Sequence, residues 1–384
     1  MTKKYIIINT GKFHHFELAK AINKKNQLIK IICGYPWIKL KKEGLLKKYV
    51  ECINLISIVF HLTLRCRLYF ISNFLSKIIH KIIEKKSLKY LYKCNIIIGL
   101  SGSLYKSVDH IKKKGIFYIC ERASAHIEFQ NEILQEEYKI NNLYYKPIPS
   151  WIIKRELYEY QKSDFILTPS NFAKKTFIEK GIHKIEKINF PVNTERFYNI
   201  KNSIDNKKFV ITFLGQISLQ KGFHYLLKAF KEFNHPKKEL QVIGSHTSDK
   251  KFFLNIIKKE KIDNIIFKNH IPNTELKYFL NKSNCFVLPS IQDGYAISVI
   301  QAIACGIPVI VTKNTGAEEY VLKNNCGFVV NIRSSYEILH QLNKLKDDEK
   351  LRNQLSENCL KSIKKFTWDN YLEELDAIVN RYRN

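Results

Sequence analysis

The chain has 384 residues, which is too many for one ordinary hydrophobic core and enough for two α/β domains. Apolar residues make up 45% of it, which excludes intrinsic disorder as the starting assumption. The formal net charge of +29 is typical of nucleic-acid-binding proteins, but the basic residues are spread through most of the chain rather than gathered in one arm. A basic face toward an anionic membrane or an anionic substrate therefore stays open as an interpretation.

The nine cysteines are scattered, with no CxxC pair and no histidine partner at zinc spacing, which is typical of reduced thiols in a cytoplasmic protein. The apolar run at residues 5–8 is too short for a secretory signal. The longest uncharged stretch, residues 294–312, is interrupted by Gly306 and Pro308. We expect a cytoplasmic protein with no transmembrane segment, and peripheral attachment to the inner face of the membrane stays open.

The first half of the chain alternates short apolar runs with amphipathic ones, which predicts a βα series. Strands are predicted at residues 5–9, 27–33, 95–100, 116–120 and 165–168, and helices at 16–22, 104–114, 156–163 and 170–180.

Residues 39–93 differ from the rest, since they carry thirteen Lys or Arg against three acids, interleaved with Ile, Leu, Phe and Tyr. This pattern predicts one or more basic amphipathic helices. Such helices either pack on the sheet or form a surface for a membrane or lipid-linked acceptor, and the sequence does not decide between the two.

The second half restarts the alternation after a polar stretch at residues 198–208, which is the best candidate for a linker. Strands are predicted at residues 209–214, 240–243, 264–267, 285–288 and 308–311, with helices at 222–233, 252–259, 273–281 and 296–305. Two such series predict two doubly wound parallel sheets facing a shared cleft. We expect an N-terminal domain over residues 1–198, a C-terminal domain over 199–369, and a last helix at 370–384 that packs back on the first domain.

The segment FLGQISLQKG, residues 213–222, follows a predicted strand and opens a helix. Gly215 allows close approach of a ligand to the backbone, the helix start supplies free N–H groups, and Lys221 adds an ammonium where a diphosphate would lie. The alternative is an ordinary glycine-containing turn with a solvent-exposed lysine.

The segment PSIQDGYAISVIQAIACGIPV, residues 289–309, carries the second signal. A strand ends, Asp293 follows, and a helix begins whose first amides can bind phosphate. Gln301 lies eight residues after Asp293, just over two helical turns along, and can point back to the same cleft. The residues at this helix start that we expect to bind the donor are Gly294, Tyr295, Ala296 and Ile297.

Together these stretches resemble the retaining glycosyltransferases of family 4, which have the GT-B fold. The resemblance covers most of residues 160–370 and is looser in the N-terminal half. It rests on the Lys-Gly after the first turn, Asp293-Gly294-Tyr295-Ala296, Gln301-Ala302, Ala304-Cys305-Gly306-Ile307-Pro308-Val309, Asn314-Thr315-Gly316-Ala317-Glu318-Glu319 and Cys326-Gly327-Phe328-Val329-Val330. It implies transfer of a sugar from a nucleotide-sugar donor to a glycan or lipid-linked acceptor, in the biosynthesis of a cell-surface polysaccharide.

The resemblance also implies individual roles. Asp293 would contact the transferred sugar and Gln301 the ribose, while Gly11 would let the N-terminal loop approach the phosphate. His126 would contact the sugar, with a structural histidine as the open alternative. Asp293, Lys221 and His126 are thus the candidate catalytic residues.

The chain departs from the family pattern at three of these positions. Asp293 and Gln301 stand where the family usually has Glu, and Gln216 stands where an Arg often neighbours the phosphate. An amide keeps hydrogen bonds to hydroxyls but lacks the strength of a carboxylate. Lys221 would therefore neutralise the diphosphate largely alone.

The sequence contains no Asp-x-Asp triplet and no set of His, Cys and carboxylates at ligand spacing, so we expect neither a metal nor another cofactor. His14 and His15 follow the Gly11 loop and are interpreted as structural or acceptor-side residues. Two alternatives remain open: a degenerate homologue that binds nucleotide without transfer, and a basic nucleic-acid-binding protein. No nucleic-acid partner is expected if the resemblance holds.

Overall fold

The computed structural model describes residues 2–66, 68–200, 207–269, 271–363 and 367–383. Within these ranges the chain forms two parallel β-sheets, each flanked by helices on both faces. The fold class predicted from the sequence is confirmed: two Rossmann-like domains with parallel sheets. The predicted linker at 198–208 falls largely on 201–206, outside the described residues.

The first sheet has the order β3-β2-β1-β4-β5-β6-β7. Its strands are β1 (Tyr5–Asn9), β2 (Leu28–Cys33), β3 (Val50–Cys52), β4 (Ile96–Leu100), β5 (Phe117–Glu121), β6 (Phe165–Thr168) and β7 (Ile185–Lys187). The helices of this part are α1 (His15–Lys24), α2 (Trp37–Leu40), α3 (Leu55–Arg65), α4 (Tyr69–Leu88), α5 (Val108–Lys113), α6 (Ile127–Ile140), α7 (Ser150–Lys162) and α8 (Asn171–Ile178).

The second sheet repeats the same arrangement in the order β10-β9-β8-β11-β12-β13. Its strands are β8 (Phe209–Leu214), β9 (Lys238–Ile243), β10 (Ile265–Lys268), β11 (Cys285–Leu288), β12 (Val309–Thr312) and β13 (Gly327–Val330). The helices are α9 (Phe223–Glu232), α10 (Lys250–Lys259), α11 (Leu276–Leu280), α12 (Ile297–Ala304), α13 (Glu318–Lys323), α14 (Ser335–Asp347), α15 (Glu349–Ser362) and α16 (Trp368–Arg383). The strand order reverses between β1 and β4 in one sheet and between β8 and β11 in the other, and such reversals are where parallel sheets bind ligands.

Strands with long apolar runs are the elements that the sequence predicted best, since they are buried on both faces. The structure adds β3, β7 and β13, which have only three or four residues each and therefore show no clear periodicity. It also adds α6, a helix of fourteen residues that the sequence analysis did not predict. The helix predicted at 104–114 begins only at Val108, because residues 101–107 form turns after β4.

The final helix, α16, lies against the first domain although it follows the second in sequence. Asp376 accepts hydrogen bonds from Lys3 Nζ and from the Tyr5 hydroxyl, both at 2.8 Å. Near the end of the helix, the Tyr382 hydroxyl donates to Glu186 at 3.0 Å and its ring contacts Phe165. These contacts tie the two ends of the chain to the same sheet.

Residues 39–93 form α3 and α4 together with β3, α2 and short 3₁₀ turns. The prediction of one or more basic amphipathic helices is confirmed by α4, which carries four lysines, whereas α3 has one base, Arg65, and β3 was missed. Among the described residues, no helix combines the length and the apolar character required to cross a bilayer.

Candidate active site

A cleft of about 580 Å³ lies between the two sheets, at the carboxyl ends of their strands. Its walls come from both domains. The structure brings seven of the predicted residues together in its lining: Gly215, Lys221, Asp293, Tyr295, Ala296, Ile297 and Gln301.

Lys221 and Asp293 form an ion pair at the centre of this lining. Their side chains are 19% and 14% exposed, so the pair is partly withdrawn from water. The other carboxylate oxygen of Asp293 accepts a hydrogen bond from the Ala296 amide at 3.1 Å. Asp293 therefore connects the turn after β8, which carries Lys221, to the start of α12.

Gly222 allows the turn between β8 and α9, residues 215–222, to approach the end of β11. It adopts a left-handed conformation (φ 65°) directly before α9, and a Cβ atom here would lie 1.8 Å from the Pro289 carbonyl oxygen. Only glycine satisfies both conditions. The close approach places Lys221 beside the loop that carries Asp293.

Ala296 occupies the N-cap position of α12 and is left-handed, with φ 57°. This conformation is unfavourable by about 1–2 kcal/mol for a residue with a Cβ. The turn directs the first amides of α12 toward the cleft, where Ile297 and Ser298 also line it. A helix start with free N–H groups is an anion-binding feature.

Gly294 marks a direct contact between the domains. A Cβ at this position would lie 2.3 Å from the Ala123 carbonyl oxygen and from the Ser124 Cα atom. Ser170 donates a hydrogen bond to the Gly294 carbonyl at 2.7 Å. Gly294 thus serves the packing of one domain on the other, and it does not itself line the cleft.

A second contact between the domains is ionic and involves α6. Glu137 is fully buried and lies 2.8 Å from His224 Nε2 and 2.7 Å from Arg333 Nε. Burial by itself raises the pKa of Glu137, but hydrogen bonds from His224 and Arg333 lower it below its ordinary value. This carboxylate holds the second domain against α6.

The wall of the cleft on the N-terminal side is aromatic and basic. His14 stacks on Phe190 with ring centres 3.8 Å apart, and Phe190 meets Tyr295 edge-on at 5.4 Å. Lys12 and Phe13 complete this wall. The wall therefore offers a ring surface and an ammonium opposite the start of α12.

Behind His14 lies a buried cluster of His14, His15 and Glu121. The Nε2 atoms of His14 and His15 lie 2.7 Å and 3.2 Å from the same Glu121 oxygen. Burial lowers the pKa of His14, so its imidazole is neutral near pH 7. Burial by itself raises the pKa of Glu121, but the neighbouring His14 and His15 side chains outweigh that effect and lower the pKa below its ordinary value.

The same three side chains form a possible donor set for a metal, which sequence spacing did not reveal because Glu121 is more than a hundred positions away. Their ligand atoms lie within 4.8 Å of one another. Two imidazoles and a carboxylate are a set that zinc and iron accept. That the protein needs no metal stays a prediction.

Two other predicted donor residues lie outside the lining. Gly11 is half-buried in the loop after β1, where its carbonyl oxygen lies 3.1 Å from the Cys33 thiol. Gln216 is exposed to solvent in the turn at residues 215–222. Gln216 therefore does not take the place of the arginine found there in the resembling family.

His126, a predicted catalytic residue, lies outside the lining of the cleft. The residue is 1% exposed, caps α6 by accepting from the Glu128 amide, and packs against Tyr160 and Phe177. Burial lowers its pKa to about 4. His126 does not line the cleft, and this position favours the structural interpretation, while a catalytic role for it stays a prediction.

Sequence reasoning missed Phe190, Lys12 and Asn273 as lining residues, and it interpreted His14 only as a structural or acceptor-side residue. For Lys12 and His14 a signal existed, since both directly follow the first strand, where ligand-binding loops of such sheets begin. Phe190 and Asn273 carried no local signal, because their place in the cleft depends on packing between the domains.

Comparison with known proteins finds similarity in the part of the chain that contains the second-domain residues of the cleft. Residues 195–362 match the family model of the glycosyl transferases group 1. The match begins near the end of the first domain and includes the turn at residues 215–222 and the start of α12. It leaves the residues of the first sheet outside.

Among curated proteins, a capsular polysaccharide biosynthesis glycosyltransferase of Staphylococcus aureus is 29% identical over 200 residues, which is 50% of this chain and 51% of that protein. An uncharacterised glycosyltransferase of Methanocaldococcus jannaschii is 27% identical over 221 residues, or 55% of this chain and 58% of that protein. The chain therefore spans about half the length of the curated relatives it matches.

Solved structures extend the likeness to the whole chain at the level of the fold. Sucrose-phosphate synthase from Thermosynechococcus elongatus superposes with a TM-score of 0.76 at 12% identity, covering 99% of this chain and 98% of that one. HepE of Anabaena, solved with UDP and glucose, superposes with a TM-score of 0.72 at 12% identity, covering 99% and 100%. The fold is GT-B.

Proposed function

We propose that this protein is a retaining glycosyltransferase that moves a sugar from a nucleoside diphosphate sugar to a glycan or lipid-linked acceptor. The observation that carries the proposal is that Lys221, Asp293 and the start of α12 lie together on one wall of the cleft between the two Rossmann-like domains. The match of residues 195–362 to group 1 glycosyltransferases supports it.

The donor diphosphate would lie between the Lys221 ammonium and the first amides of α12. As the bond between the anomeric carbon and the phosphate oxygen breaks, negative charge grows on the leaving diphosphate. Fixed donors in a partly dry cleft stabilise such charge without reorganising. One ammonium and one helix start supply this neutralisation, and the reaction we propose uses no metal and no other cofactor.

Asp293 and Gln301 would hold the other parts of the donor. Asp293 contacts the sugar through the carboxylate that also pairs with Lys221, and diphosphate binding releases Lys221 from that pair. Gln301 lies on the second turn of α12 within the cleft and hydrogen-bonds the ribose hydroxyls. Tyr295 and Ile297 give this part of the cleft its apolar surface.

The acceptor would bind against the opposite wall, formed by His14, Phe190 and Lys12. His14 Nε2 lies 2.7 Å from Glu121, and in the neutral imidazole that we propose Nδ1 would accept from a sugar hydroxyl. Phe190 offers an apolar ring on which a pyranose can stack.

We place the reaction in cell-surface polysaccharide biosynthesis, on the cytoplasmic side of the membrane. Support comes from the relative that is named for capsular polysaccharide biosynthesis. Retention follows from the resemblance to family 4, and a hexose is the donor sugar that we propose.

A thermal-shift panel with UDP, GDP, ADP, CMP and a short single-stranded oligonucleotide tests the donor site. Wild type, Lys221→Ala and the control Lys228→Ala, an exposed lysine on α9, are compared. A nucleotide at about 100 times its Kd adds ~2.7 kcal/mol to the free energy of unfolding, so one nucleoside diphosphate should raise the Tm of wild type and of the control but much less that of Lys221→Ala.

Stabilisation by the oligonucleotide alone would refute the proposal and favour a nucleic-acid-binding protein. Nucleotide binding without donor hydrolysis or transfer would point to a degenerate homologue, as the substitutions at Asp293 and Gln301 allow.

A further inference from the structure

The hairpin of α3 and α4 is a part of the surface that the proposed chemistry does not use. The two helices follow one another after a three-residue connection and pack together. α3 begins directly after β3, at the carboxyl edge of the first sheet. The hairpin therefore starts at the same edge of the sheet as the loop that carries His14.

The second half of α4 packs Ile79 and Ile83 into the core, but over α3 and the start of α4 the polarity of the hairpin is reversed. In α3 the residues buried against the protein are Ser57 and Thr63, whereas Leu55 is 74% exposed. At the start of α4, Ser72 is buried while Phe70 is 89% exposed. Small hydroxyl residues between helices and large apolar residues outside are the arrangement of helices that pack in an apolar solvent.

The exposed apolar residues are also concentrated here. Ten of the 26 large apolar side chains that are exposed in the described part of the chain lie within residues 55–74. Such residues are normally scattered singly, and a contiguous set marks a binding surface. The ten are Leu55, Ile58, Val59, Leu62, Leu64, Leu68, Tyr69, Phe70, Ile71 and Phe74.

The charges around this surface have one sign. Residues 52–83 contain four bases and no acid, and Arg65, Lys77 and Lys81 are exposed. Further along α4, Lys85 is exposed as well. The apolar residues 55–74 are followed along α4 by lysines. This order matches a lipid bilayer, which is apolar inside and can be anionic at its surface.

We propose that the α3–α4 hairpin docks on an anionic lipid bilayer, with its apolar residues in the interfacial region and its lysines at the phosphate groups. α3 has eleven residues and is about 16 Å long, too short to cross the hydrocarbon core but long enough to lie within the interface. Docking brings the carboxyl edge of the first sheet, and with it the acceptor wall of the cleft, close to the lipid headgroups.

A second copy of the chain fits this surface less well, because a net charge of +29 repels a partner of the same sign and the hairpin between Glu51 and Glu84 offers no acid to pair with the bases. The delivery of a lipid-linked acceptor to the cleft rests on the proposed function. Binding of the bilayer does not depend on it.

The test is co-sedimentation with vesicles of phosphatidylcholine alone and of phosphatidylcholine mixed with phosphatidylglycerol, at low and high salt. Phe70→Asp is compared with wild type and with Tyr336→Asp, which changes a side chain of similar exposure (76%) on α14 of the other domain. The Tm and the shift produced by the nucleotide are measured on all three proteins, together with their oligomeric state.

We expect wild type and Tyr336→Asp to sediment with the anionic vesicles and Phe70→Asp to bind about tenfold less, since an aromatic side chain no longer enters the interface. Equal binding by Phe70→Asp, no preference for anionic lipid, or a dimer that Phe70→Asp dissociates would overturn the proposal. Lipid binding without any nucleotide shift would instead refute the proposed function and leave the docking surface standing.

Discussion

The two domains share one strand order, apart from the additional β7 of the first sheet, but they use polar side chains in different ways. The first domain buries five glutamates, whereas among the described residues of the second sheet and its helices Asp249 is the only buried acid. The five are Glu84, Glu121, Glu137, Glu156 and Glu159. The second domain instead presents its Lys221–Asp293 pair to the cleft.

Most of the buried acids of the first domain are satisfied by distant partners. Arg122 lies 2.8 Å from Glu156 and Arg155 lies 2.5 Å from Glu84. Glu159 accepts from the Tyr118 hydroxyl, and its burial raises its pKa to about 8. The donor side is thus built mainly from backbone turns that leave local sequence motifs, while the acceptor side is built from side-chain networks that do not.

The largest expected effect concerns a backbone turn of the donor side. Gly222→Ala should lower the free energy of unfolding by about 3 kcal/mol or more, because it adds a clash with Pro289 to a strained conformation. Gly115 of the first domain has nearly the same φ (68°) but open space around it. Gly115→Ala should therefore lower the free energy of unfolding by only about 1–2 kcal/mol. Chemical denaturation of both variants measures the difference, and equal costs would show that the close approach to β11 does not matter.

The next effect separates binding from transfer on the donor side. Asp293→Asn should reduce kcat about 10- to 100-fold, because a charged contact to the sugar is worth roughly 1.5–3 kcal/mol. The Tm shift produced by the nucleotide should remain, since Lys221 stays in place. Steady-state kinetics and thermal shifts on the same preparation check this, and a variant with wild-type kcat would remove Asp293 from the catalytic set.

A smaller effect is expected on the acceptor side. Glu121→Gln removes the carboxylate beside His14 and His15, and should raise the KM for acceptor about tenfold, roughly 1.4 kcal/mol, while leaving nucleotide binding unchanged. Unchanged acceptor kinetics would argue against the role of this wall. A zinc titration of both proteins by calorimetry shows whether the cluster binds a metal.

The same cluster makes stability depend on pH in a defined direction. The pKa of His14 is lowered from 6.5 in the folded protein, so the unfolded chain takes up the proton first and stability falls as the pH drops below 6.5. The pKa of Glu121 is lowered from 4.5, so a second loss follows below pH 4.5. Melting temperatures measured across this range should show the second loss in wild type and not in Glu121→Gln.

The smallest effect is a stabilisation. Ala296→Gly relieves the left-handed conformation at the start of α12 and should raise the free energy of unfolding by about 1 kcal/mol. Ala317→Gly, at the N-cap of α13 in a right-handed conformation, is the matched control and should be neutral or destabilising. If both variants are destabilised alike, Ala296 is not strained.

By itself the sequence predicted the two parallel sheets, the turn before Lys221 and the helix start after Asp293. These features depend on hydrogen bonds and apolar spacing within about ten residues, so they leave a local pattern. The same reasoning predicted the basic helices of residues 39–93 but not which of their faces is exposed.

Only the tertiary structure decided how distant residues meet. It brought Glu121 to His14, packed Gly294 on the backbone of Ala123, withdrew His126 from the cleft and turned the apolar face of α3 outward. Each of these results depends on contacts between segments far apart in the chain, where local spacing carries no information about which side chain will be buried.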